Sequence, residues 1–481
     1  MRAIGLDVGT SAVKALALDE AGNVLARHEA EYPLSMPHPG WAEQDPEDWW
    51  RAAEAALAAV TDGDEVAGIG LSGQMHGLVA LDDADRVIRP AILWNDQRTQ
   101  AECDEITRLV GERRLIELTG NRALTGFTAP KLLWLREHEP ASYARIAHVM
   151  LPKDYVRLRL TGERATDVAD ASGMLLLDVA RRQWSAEVLE ALSLDPAWLP
   201  RLLESPQVSG TTAGGVPVAA GAGDQAAGAL GVGVVRPGPL SVVLGTSGVV
   251  LTALDGFAAD PEGRVHAFCH ASPGAWQAMG VMLSAAGALG WLQRTIAPGM
   301  PFAGLVAEAH HWDPGAGGLT FLPYLTGERT PHADPEARGA FAGLSMHHDR
   351  GALVRAVLEG VACGLRDCFD LVDALGAGTA SAGRASGGGA RSALWLRIVA
   401  SMLELPIERL AVEEGAAFGA ALLGGVAGGM WRDTDEAAAA TVRVRDTIEP
   451  EAAWIEPYRD LLARYRALYP VASRPVDAAP A

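Results

Sequence analysis

The stretch LDVGTSAVKALALD, residues 6–19, joins two short apolar runs through a Gly-Thr-Ser triplet, and Asp7 stands near the end of the first run. The stretch SVVLGTSGVVLTALD, residues 241–255, repeats this arrangement. When Ser11 is placed on Ser247, 236 positions further on, both triplets and both closing Leu-Asp pairs coincide. A strand, a turn of small residues and a second strand predict a β-hairpin. Two hairpins of one design indicate two related domains; the alternative is two unrelated hairpins that share the triplet by chance.

The turns of these two hairpins carry groups that suit phosphate. Backbone N–H groups and hydroxyls in a tight turn can bind phosphate oxygens as a nest does. The turn residues are Gly9, Thr10, Ser11, Gly245, Thr246 and Ser247. Only the first copy has an acid, because Val243 takes the position of Asp7 in the second. Mg²⁺ prefers carboxylate and phosphate oxygens and retains several waters. One acid beside two such turns therefore predicts a Mg–nucleotide held between two domains.

The composition is that of a globular protein with two ordinary domains. The 481 residues exceed what one core usually serves. A net charge of −20 argues against a nucleic-acid partner. The four cysteines have the spacing of neither a zinc site nor a disulfide framework. No segment reads as a signal peptide or as the roughly 20 apolar residues of a membrane span, so we expect no membrane partner and a cytoplasmic location.

Strand-like and helix-like segments alternate from residue 4 to about residue 235 and predict an α/β domain with a mainly parallel sheet. Within it, residues 46–60 predict a helix with Asp45 as its N-cap. Further along the chain, residues 349–375 show the apolar periodicity of a long amphipathic helix.

A break in this alternation marks the predicted domain boundary. The segment VVRPGPLSVV contains two prolines and a glycine around Pro237, and the alternation resumes after it. We therefore predict one domain over 1–237 and a second over 238–481. The second domain is predicted to end in a helix over 450–470 and a disordered tail over 472–481.

The stretch GAGDQAAGALGVG, residues 221–233, combines glycines with one acid. Gly221, Gly223 and Ala226 fit a loose G-x-G-x-x-A dinucleotide pattern. Asp224 inside that loop would repel a pyrophosphate, and no fitting acid follows about twenty residues on. A strand end that presents Asp224 to a cleft, with glycines leaving room for a ligand, is the better interpretation. A buried structural aspartate is the alternative.

The stretch LSGQMHGLVALD, residues 71–82, predicts a strand–loop–strand element with Gln74, Met75 and His76 in its loop. On residue types alone, a Met-His pair beside glycines is more often packing than recognition. Histidine can nevertheless exchange hydrogen bonds with a hydroxyl of a ligand.

The stretch ILWNDQRT, residues 92–99, places Trp94, Asp96 and Arg98 at the end of another predicted strand. These residues could line a pocket or form an Asp–Arg turn pair on the surface, and the sequence favours neither.

Residues 384–403 hold Gly387, Gly388 and Gly389 before a predicted helix. A glycine run at a helix N-terminus lets the backbone approach a nucleotide closely, although a flexible loop is the alternative. The chain lacks the Walker A pattern G-x-x-x-x-G-K-[ST], which excludes a P-loop kinase.

Three further stretches carry a resemblance to a known family. GFTAPKLLWL at 126–135, LPYLTGERTPHADPEARG at 322–339 and GAFAGLSMHHDRGALVRAVLEG at 339–360 are similar to motifs of the FGGY family of carbohydrate kinases. The last motif departs at Ala352, where a polar residue is usual and where we expect a helix exterior. The resemblance covers almost the whole chain. It implies an α/β fold of two related actin/hexokinase-like (ribonuclease H-like) domains with ATP in the cleft between them.

The resemblance also implies roles for the residues above. Asp224 corresponds to the catalytic base of the family, and Asp7 to a catalytic acid residue that binds Mg²⁺. The implied sugar-binding residues are Gln74, Met75, His76, Trp94, Asp96 and Gln225, and Gln225 stands where Asn is usual. The implied nucleotide-binding residues are the two Gly-Thr-Ser triplets and the glycines 387–389, with the segment from Glu413 closing the adenine site.

The Gln-Met-His-Gly loop is similar to that of the family branch that phosphorylates D-xylulose. The implied reaction converts ATP and D-xylulose to ADP and D-xylulose 5-phosphate in xylose catabolism, with ATP and Mg²⁺ as cofactors and a small sugar as partner. Two alternatives stay open: a kinase for another ketose or polyol, such as ribulose, a pentitol or glycerol, and an ATP-binding chaperone or filament protein of the same fold. The sequence does not decide between a monomer and a homodimer.

Overall fold

The computed structural model describes residues 1–61, 65–376, 378 and 380–472. The predicted disordered tail falls outside this part of the chain except for residue 472. The described residues contain two seven-stranded sheets, one on either side of the predicted boundary near Pro237. No helix within the described residues has both the length and the apolar character needed to span a membrane.

The first sheet contains the first hairpin. Its strands lie in the spatial order Val208–Thr211, Pro217–Ala219, Val66–Gly73, Arg2–Val8, Ala12–Leu18 and Val24–Glu31, and Ala222–Gly223 also pairs with Val66–Gly73. The first three strands along the chain are antiparallel neighbours. Strand Val66–Gly73 joins the hairpin in parallel, Pro217–Ala219 and Ala222–Gly223 pair with that strand in parallel, and the edge strand Val208–Thr211 is antiparallel to Pro217–Ala219.

The second sheet repeats this order around the second hairpin. Its strands follow one another as His266–Cys269, Trp276–Met282, Gly248–Leu254, Pro239–Leu244, Ala382–Ser386, Ile407–Leu410 and Val444–Ile448. The hairpin again has an antiparallel strand on one side and two parallel strands on the other. The two domains predicted from the repeated triplet are therefore alike in topology.

Two details differ from the sequence-based expectation. The sheets are mixed rather than mainly parallel, because three strands of the first sheet and four of the second form a run of antiparallel neighbours. The hairpins also differ in register by one residue. Val8 pairs with Val13 across four residues, whereas Leu244 pairs with Gly248 across three.

The helices surround these sheets and fill the connections. The α-helices are Pro46–Val60, Gln100–Val110, Glu112–Thr119, Thr128–His138, Pro140–Tyr143, Pro152–Thr161, Val168–Ala171, Ala186–Leu192, Asp224–Gly231, Ala286–Ile296, Phe302–Glu308, Arg350–Ala374, Ala393–Leu403, Gly415–Ala427, Thr434–Thr441 and Ala452–Ala472. The predicted N-cap is confirmed, since the Asp45 side chain accepts the Glu47 N–H at 3.0 Å.

The expected exterior position of Ala352 is wrong. Ala352 lies in the first turn of helix Arg350–Ala374 and is fully buried. Its neighbour Gly351 packs so tightly that an added Cβ would lie 2.6 Å from the carbonyl oxygen of Glu308. A polar side chain at Ala352 would therefore meet protein rather than water.

One helix of the second half of the chain packs on the first sheet. This crossing helix, Gly415–Ala427, contacts strands Arg2–Val8 and Val66–Gly73. Glycines make the close approach possible, since an added Cβ on Gly70 would lie 1.8 Å from the Ala420 carbonyl oxygen. The crossing helix also packs against helix Asp224–Gly231, hereafter the Asp224 helix.

Candidate active site

A cavity of about 230 Å³ opens between the two domains. Its polar lining consists of His76, Trp94, Asp224 and Gln225 from the first half of the chain and Ser247 and Arg329 from the second. Its apolar lining includes Met75, Leu124, Phe127, Val249, Met279 and Val281. The cavity therefore combines an apolar wall with convergent polar groups, which is the usual make-up of a small-molecule site.

Asp224 occupies the point where a strand ends and a helix begins. Strand Ala222–Gly223 leads directly into the Asp224 helix, so the carboxylate projects at the edge of the sheet. Burial, with a further contribution from the negative charge of Asp7, raises the pKa of Asp224 to about 7. Gln225 opposes this shift by donating from Nε2 to Asp224 Oδ1 at 3.3 Å. A carboxylate with a pKa close to neutrality is suited to accept a proton during a reaction.

Asp7 is the second acid of the cleft and interacts with Asp224. Burial raises the pKa of Asp7 to about 6, while the Ser72 hydroxyl and the charge of Lys14 partly offset the effect. Asp7 Oδ1 is buried and has no hydrogen-bond partner within the described residues. An unpaired carboxylate oxygen of this kind fits a hard divalent cation. The described residues hold no cluster of three or more His, Cys, Asp or Glu that could bind a metal by itself, so a cation here would depend on ligand oxygens and water as well.

The first Gly-Thr-Ser turn is held by neighbouring polar side chains. Gly9 donates its N–H to the Ala12 carbonyl at 3.0 Å, which closes the turn. Gln44 donates from Nε2 to the Thr10 carbonyl at 2.6 Å, and Trp94 donates from Nε1 to the Thr10 hydroxyl at 3.1 Å. Trp94 thereby connects the turn to the cavity wall. Ser11 is exposed at the tip of the turn.

The second Gly-Thr-Ser turn is held by the start of helix Ala286–Ile296. The Gly245 carbonyl accepts the Ala286 N–H at 2.8 Å, and the Thr246 carbonyl accepts the N–H groups of Ala285 at 2.8 Å and Gly287 at 3.1 Å. The carbonyl oxygens are thus occupied by protein. Ser247, the last residue of the turn, lines the cavity.

The three glycines 387–389 pack against this second turn. Gly387 has φ +84°, and an added Cβ would lie 2.8 Å from the Leu244 carbonyl oxygen. An added Cβ on Gly389 would lie 2.8 Å from Leu244 Cβ, whereas Gly388 faces open space. The helix predicted after the triplet is present: a 3₁₀ turn, Gly388–Arg391, comes first, and helix Ala393–Leu403 begins after the N-cap Ser392.

The loop with Gln74, Met75 and His76 supplies one wall of the cavity. His76 Nδ1 lies 2.7 Å from the Gly173 carbonyl, so Nδ1 carries the proton and Nε2 is an acceptor. Burial lowers the pKa of His76 to about 3, and the positive charges of Lys131 and Arg329 add to the shift, so the ring is neutral.

Gln74 and Asp96 lie outside the cavity lining. Gln74 is buried and donates from Nε2 to Gln44 Oε1 at 2.9 Å. Asp96 is fully buried and accepts from the Ala42 N–H at 2.7 Å and from Arg98 Nη2 at 2.7 Å. This Asp–Arg pair is neither the surface turn nor the pocket wall considered from the sequence. It instead holds the loop from which Trp94 projects.

Sequence reasoning assigned no role to two features that the structure brings to this region. Arg329 lines the cavity from the motif at 322–339. A fully buried charge cluster lies behind the strand ends, where Lys153 Nζ contacts Asp154 and Asp167 at 2.6 Å each and Asp170 at 3.1 Å. The Lys-Asp dipeptide 153–154, which directly follows the apolar run 149–152, was the signal that could have revealed the cluster.

The repeated sheet order and the cleft between the sheets define an actin/hexokinase-like two-domain protein, and comparison with known proteins gives the family. The model of the FGGY family of carbohydrate kinases, N-terminal domain, matches residues 2–231, and the C-terminal domain model matches residues 240–428. The chain belongs to the FGGY family of carbohydrate kinases. It is therefore a carbohydrate kinase, and a chaperone or filament protein is set aside.

Named relatives lie within this family. Xylulose kinase from Escherichia coli is 46% identical over 88% of this chain and 90% of its own. Xylulose kinase from Lactococcus lactis is 40% identical over 97% of this chain and 95% of its own. A crystal structure from Brucella ovis, described as a xyloylose kinase, superposes with a TM-score of 0.90 at 44% identity and covers 98% of this chain and 99% of its own.

Proposed function

We propose that the protein transfers the γ-phosphoryl group of ATP to the 5-hydroxyl of D-xylulose and releases ADP and D-xylulose 5-phosphate. The observation that carries the proposal is the position of Asp224, whose carboxylate has a pKa near 7 and faces a sugar-sized cavity between the two Gly-Thr-Ser turns. The xylulose kinases from E. coli and L. lactis, which cover most of the chain, support the choice of sugar.

Asp224 acts as the general base in this proposal. Its carboxylate accepts the proton of the 5-hydroxyl as that oxygen attacks phosphorus, and Gln225 holds the carboxylate in place. His76 accepts a hydrogen bond from a sugar hydroxyl through Nε2, while Met75 covers an apolar face of the sugar. Phosphoryl transfer depends mainly on positioning of the reactants and on charge neutralisation. In this proposal the fixed groups of the cleft position the sugar.

The phosphates of ATP are assigned to the two turns, and Asp7 is the residue that would hold Mg²⁺. When bound, Mg²⁺ neutralises charge on the phosphate oxygens. The glycines 387–389 border the second turn and are proposed to lie along the nucleotide, where Gly388 has open space beside it. The domain division at 1–237 and 238–481 belongs to the same proposal.

A cytoplasmic location is also proposed, because the reaction consumes ATP and because the four cysteines are free and buried, as in a reducing compartment. Light scattering would distinguish a monomer from a homodimer.

The deciding experiment is an ADP-release assay over D-xylulose, D-ribulose, L-ribulose, D-arabitol, xylitol and glycerol. We expect kcat/KM to be at least about tenfold higher for D-xylulose than for the other compounds, which corresponds to about 1.4 kcal/mol of differential transition-state binding. A higher kcat/KM for a pentitol or for glycerol would contradict the proposal.

A further inference from the structure

Arg329 is the one charged side chain that the second domain contributes to the cavity lining among the described residues. It lies in the segment 323–339, which follows strand Thr320–Leu322. Asp224, Gln225 and His76 reach the same cavity from the other domain. A ligand in the cavity is therefore enclosed by Arg329 on one side and by the base and the histidine on the other.

The guanidinium of Arg329 has no carboxylate within ion-pair distance in the described part of the chain. Its side-chain contact is with a neutral ring, since Nη1 lies 3.5 Å from His266 Nε2. His266 Nδ1 lies 2.7 Å from Asn121 Oδ1 and donates to it, which leaves Nε2 as the acceptor. Burial and the charge of Arg329 hold the pKa of His266 well below its usual value.

The adjacent carboxyl of Glu328 does not supply the missing negative charge. Glu328 accepts from the N–H groups of Leu283 at 2.9 Å and Arg329 at 2.8 Å through Oε1. Burial raises the pKa of Glu328 to about 8, so the group is mostly protonated at neutral pH. Arg329 is thus a half-buried cation that faces neutral neighbours. Burying its N–H donors without a partner is costly, so these donors are available to a ligand that enters the cavity.

The segment that carries Arg329 is fastened from two sides. Thr330 exchanges hydrogen bonds with the backbone of Val281, at 2.9 Å through its N–H and at 3.1 Å through its hydroxyl. The ring of His332 stacks on Tyr469 of the C-terminal helix at 3.5 Å, and the Tyr469 hydroxyl donates to Asp334 at 2.7 Å. The guanidinium is thus presented on a held backbone, as a specificity residue requires.

The position and chemistry of Arg329 select the kind of oxygen it can bind. Arg329 Nη1 lies 3.5 Å from the ring of His266. The His266 ring packs on Phe127 at 5.9 Å between centroids, and Phe127 packs on His76 at 4.7 Å, so Arg329 lies toward the His76 end of the cavity. That end is the one away from the hydroxyl that is phosphorylated. A guanidinium only donates hydrogen bonds, and a carbonyl oxygen only accepts them. His76 Nε2 only accepts, which suits a hydroxyl.

We propose that Arg329 donates to the C2 carbonyl oxygen of the bound ketose and thereby selects ketoses over pentitols; this inference rests on the proposed sugar kinase function. A pentitol carries a hydroxyl at C2 in place of the carbonyl. Such a hydroxyl is a poorer acceptor for a cationic donor, and its own proton lacks a partner beside a guanidinium.

The experiment compares D-xylulose with D-arabitol, which has the same carbon chain with a hydroxyl at C2. Arg329→Met keeps an unbranched apolar stem and removes the donors of the guanidinium. We expect KM for D-xylulose to rise roughly tenfold or more, in line with the loss of a hydrogen bond to a charged group. We expect kcat to stay within about threefold, and the Kd of D-arabitol, measured calorimetrically, to change by less than about twofold, since the pentitol does not use the bond.

Arg264→Met is the matched control, because Arg264 lies nearby and pairs with Asp260 at 2.7 Å rather than lining the cavity. Arg264→Met should leave KM for D-xylulose and Kd for D-arabitol unchanged. Arg329→Lys retains a charged donor and should give a KM for D-xylulose between those of the wild type and the Met variant. If the Met variant is too unstable to assay, the Lys variant provides the same comparison between D-xylulose and D-arabitol.

Equal weakening of D-xylulose and D-arabitol would overturn the proposal, as would a fall in kcat with KM for D-xylulose unchanged, which would place Arg329 at the transferred phosphate. These outcomes are distinct from failure of the proposed function, since that failure appears in the wild-type protein as absence of D-xylulose phosphorylation.

Discussion

Gly419 and Ala227 bring two helix backbones into direct contact. An added Cβ on Gly419 of the crossing helix would lie 1.8 Å from the carbonyl oxygen of Ala227 in the Asp224 helix. Because neither backbone can move without displacing the sheet beneath it, this contact fixes the helix that carries the proposed base. The position of Asp224 therefore depends on a residue almost two hundred positions away in the sequence.

Gly419→Ala should separate the two helices and lower both the melting temperature and kcat. Overpacking of a closed contact typically costs about 1–3 kcal/mol. Gly228→Ala is the control, because Gly228 lies in the Asp224 helix with nothing within 4 Å of an added Cβ. There we expect a stability gain of up to about 1 kcal/mol from helix propensity. Calorimetric melting of both variants measures the effect, and equal melting temperatures would contradict the packing argument.

Asp224→Asn separates a catalytic role from a structural one. Loss of a general base typically lowers turnover by about 10²–10⁴-fold, so we expect kcat to fall at least a hundredfold. The folded-state pKa of Asp224, about 7, lies above the ordinary aspartate pKa of 3.8. Ionisation is thus unfavourable in the folded protein, and stability contributed by the protonated form is lost as pH rises through 7. The Asn variant should consequently melt higher than wild type at pH 8, with a smaller difference at pH 5.5. A lower melting temperature at pH 8 would point to a structural aspartate.

The pH dependence of turnover should follow Asp224. The ionised carboxylate is the active form, so kcat/KM should rise with pH through an inflection near 7. Asp7 raises the pKa of Asp224 by its negative charge. Asp7→Asn should therefore move the inflection to lower pH as well as weaken the dependence on Mg²⁺. Rate profiles from pH 5 to 9 at saturating Mg²⁺ test the direction, and an inflection that moves upward would be inconsistent with this charge coupling.

His76→Asn should affect the sugar and leave the nucleotide and the pH profile unchanged. His76 has φ +69°, a backbone conformation that Asn tolerates better than Ala. With a pKa lowered to about 3, His76 stays neutral over the working range. We expect KM for D-xylulose to rise roughly three- to tenfold from the altered hydrogen bond, with KM for ATP within twofold of wild type. Steady-state kinetics with each substrate varied in turn provides the comparison, and a larger change in KM for ATP would refute the assignment.

Lys153→Met should destabilise the protein strongly. Removal of Lys153 leaves the carboxylates of Asp154, Asp167 and Asp170 buried without their shared cation. Breaking a buried ion pair typically costs about 3–5 kcal/mol. Arg159→Met on the same helix is the control, because its ion pair with Glu47 is partly exposed to water and should contribute much less to the free energy of unfolding. Chemical denaturation of the two variants distinguishes them, and similar midpoints would show that the buried cluster is not stabilising.

The fold was predictable where the signal is local or repeated. The triplet offset anticipated two like domains, and Asp45 with Pro46 marked a helix start that the structure confirms. The sheets are mixed because each hairpin predicted from a Gly-Thr-Ser triplet is itself antiparallel. The strands that join the hairpins in parallel come from far along the chain and carry no local signal of their partner, so the proportions of the two pairings were not predicted. Ala352 was misplaced because its own helix pattern says nothing about the distant core residues of the second domain among which it is buried.

The candidate site likewise contains residues that the sequence identified and residues that it did not. Residues embedded in glycine-rich turns, such as Asp7 and Asp224, were found because small neighbours mark space for a ligand. Asp96 also follows a predicted strand, but its carboxylate accepts hydrogen bonds from Arg98 and from the Ala42 N–H rather than facing the cavity. Arg329 gave no signal, because one arginine in an irregular segment has neither periodicity nor spacing to distinguish it.

The crossing helix makes the two halves of the chain mutually dependent. Cut between 237 and 238, the first fragment would expose a glycine-lined groove on its sheet, and the second would carry an apolar helix of matching shape. Each fragment would thus be the specific ligand of the other. Kinase activity would report their reassembly, because Asp224 belongs to one fragment and the second Gly-Thr-Ser turn to the other. The enzyme is therefore a natural scaffold for a split reporter.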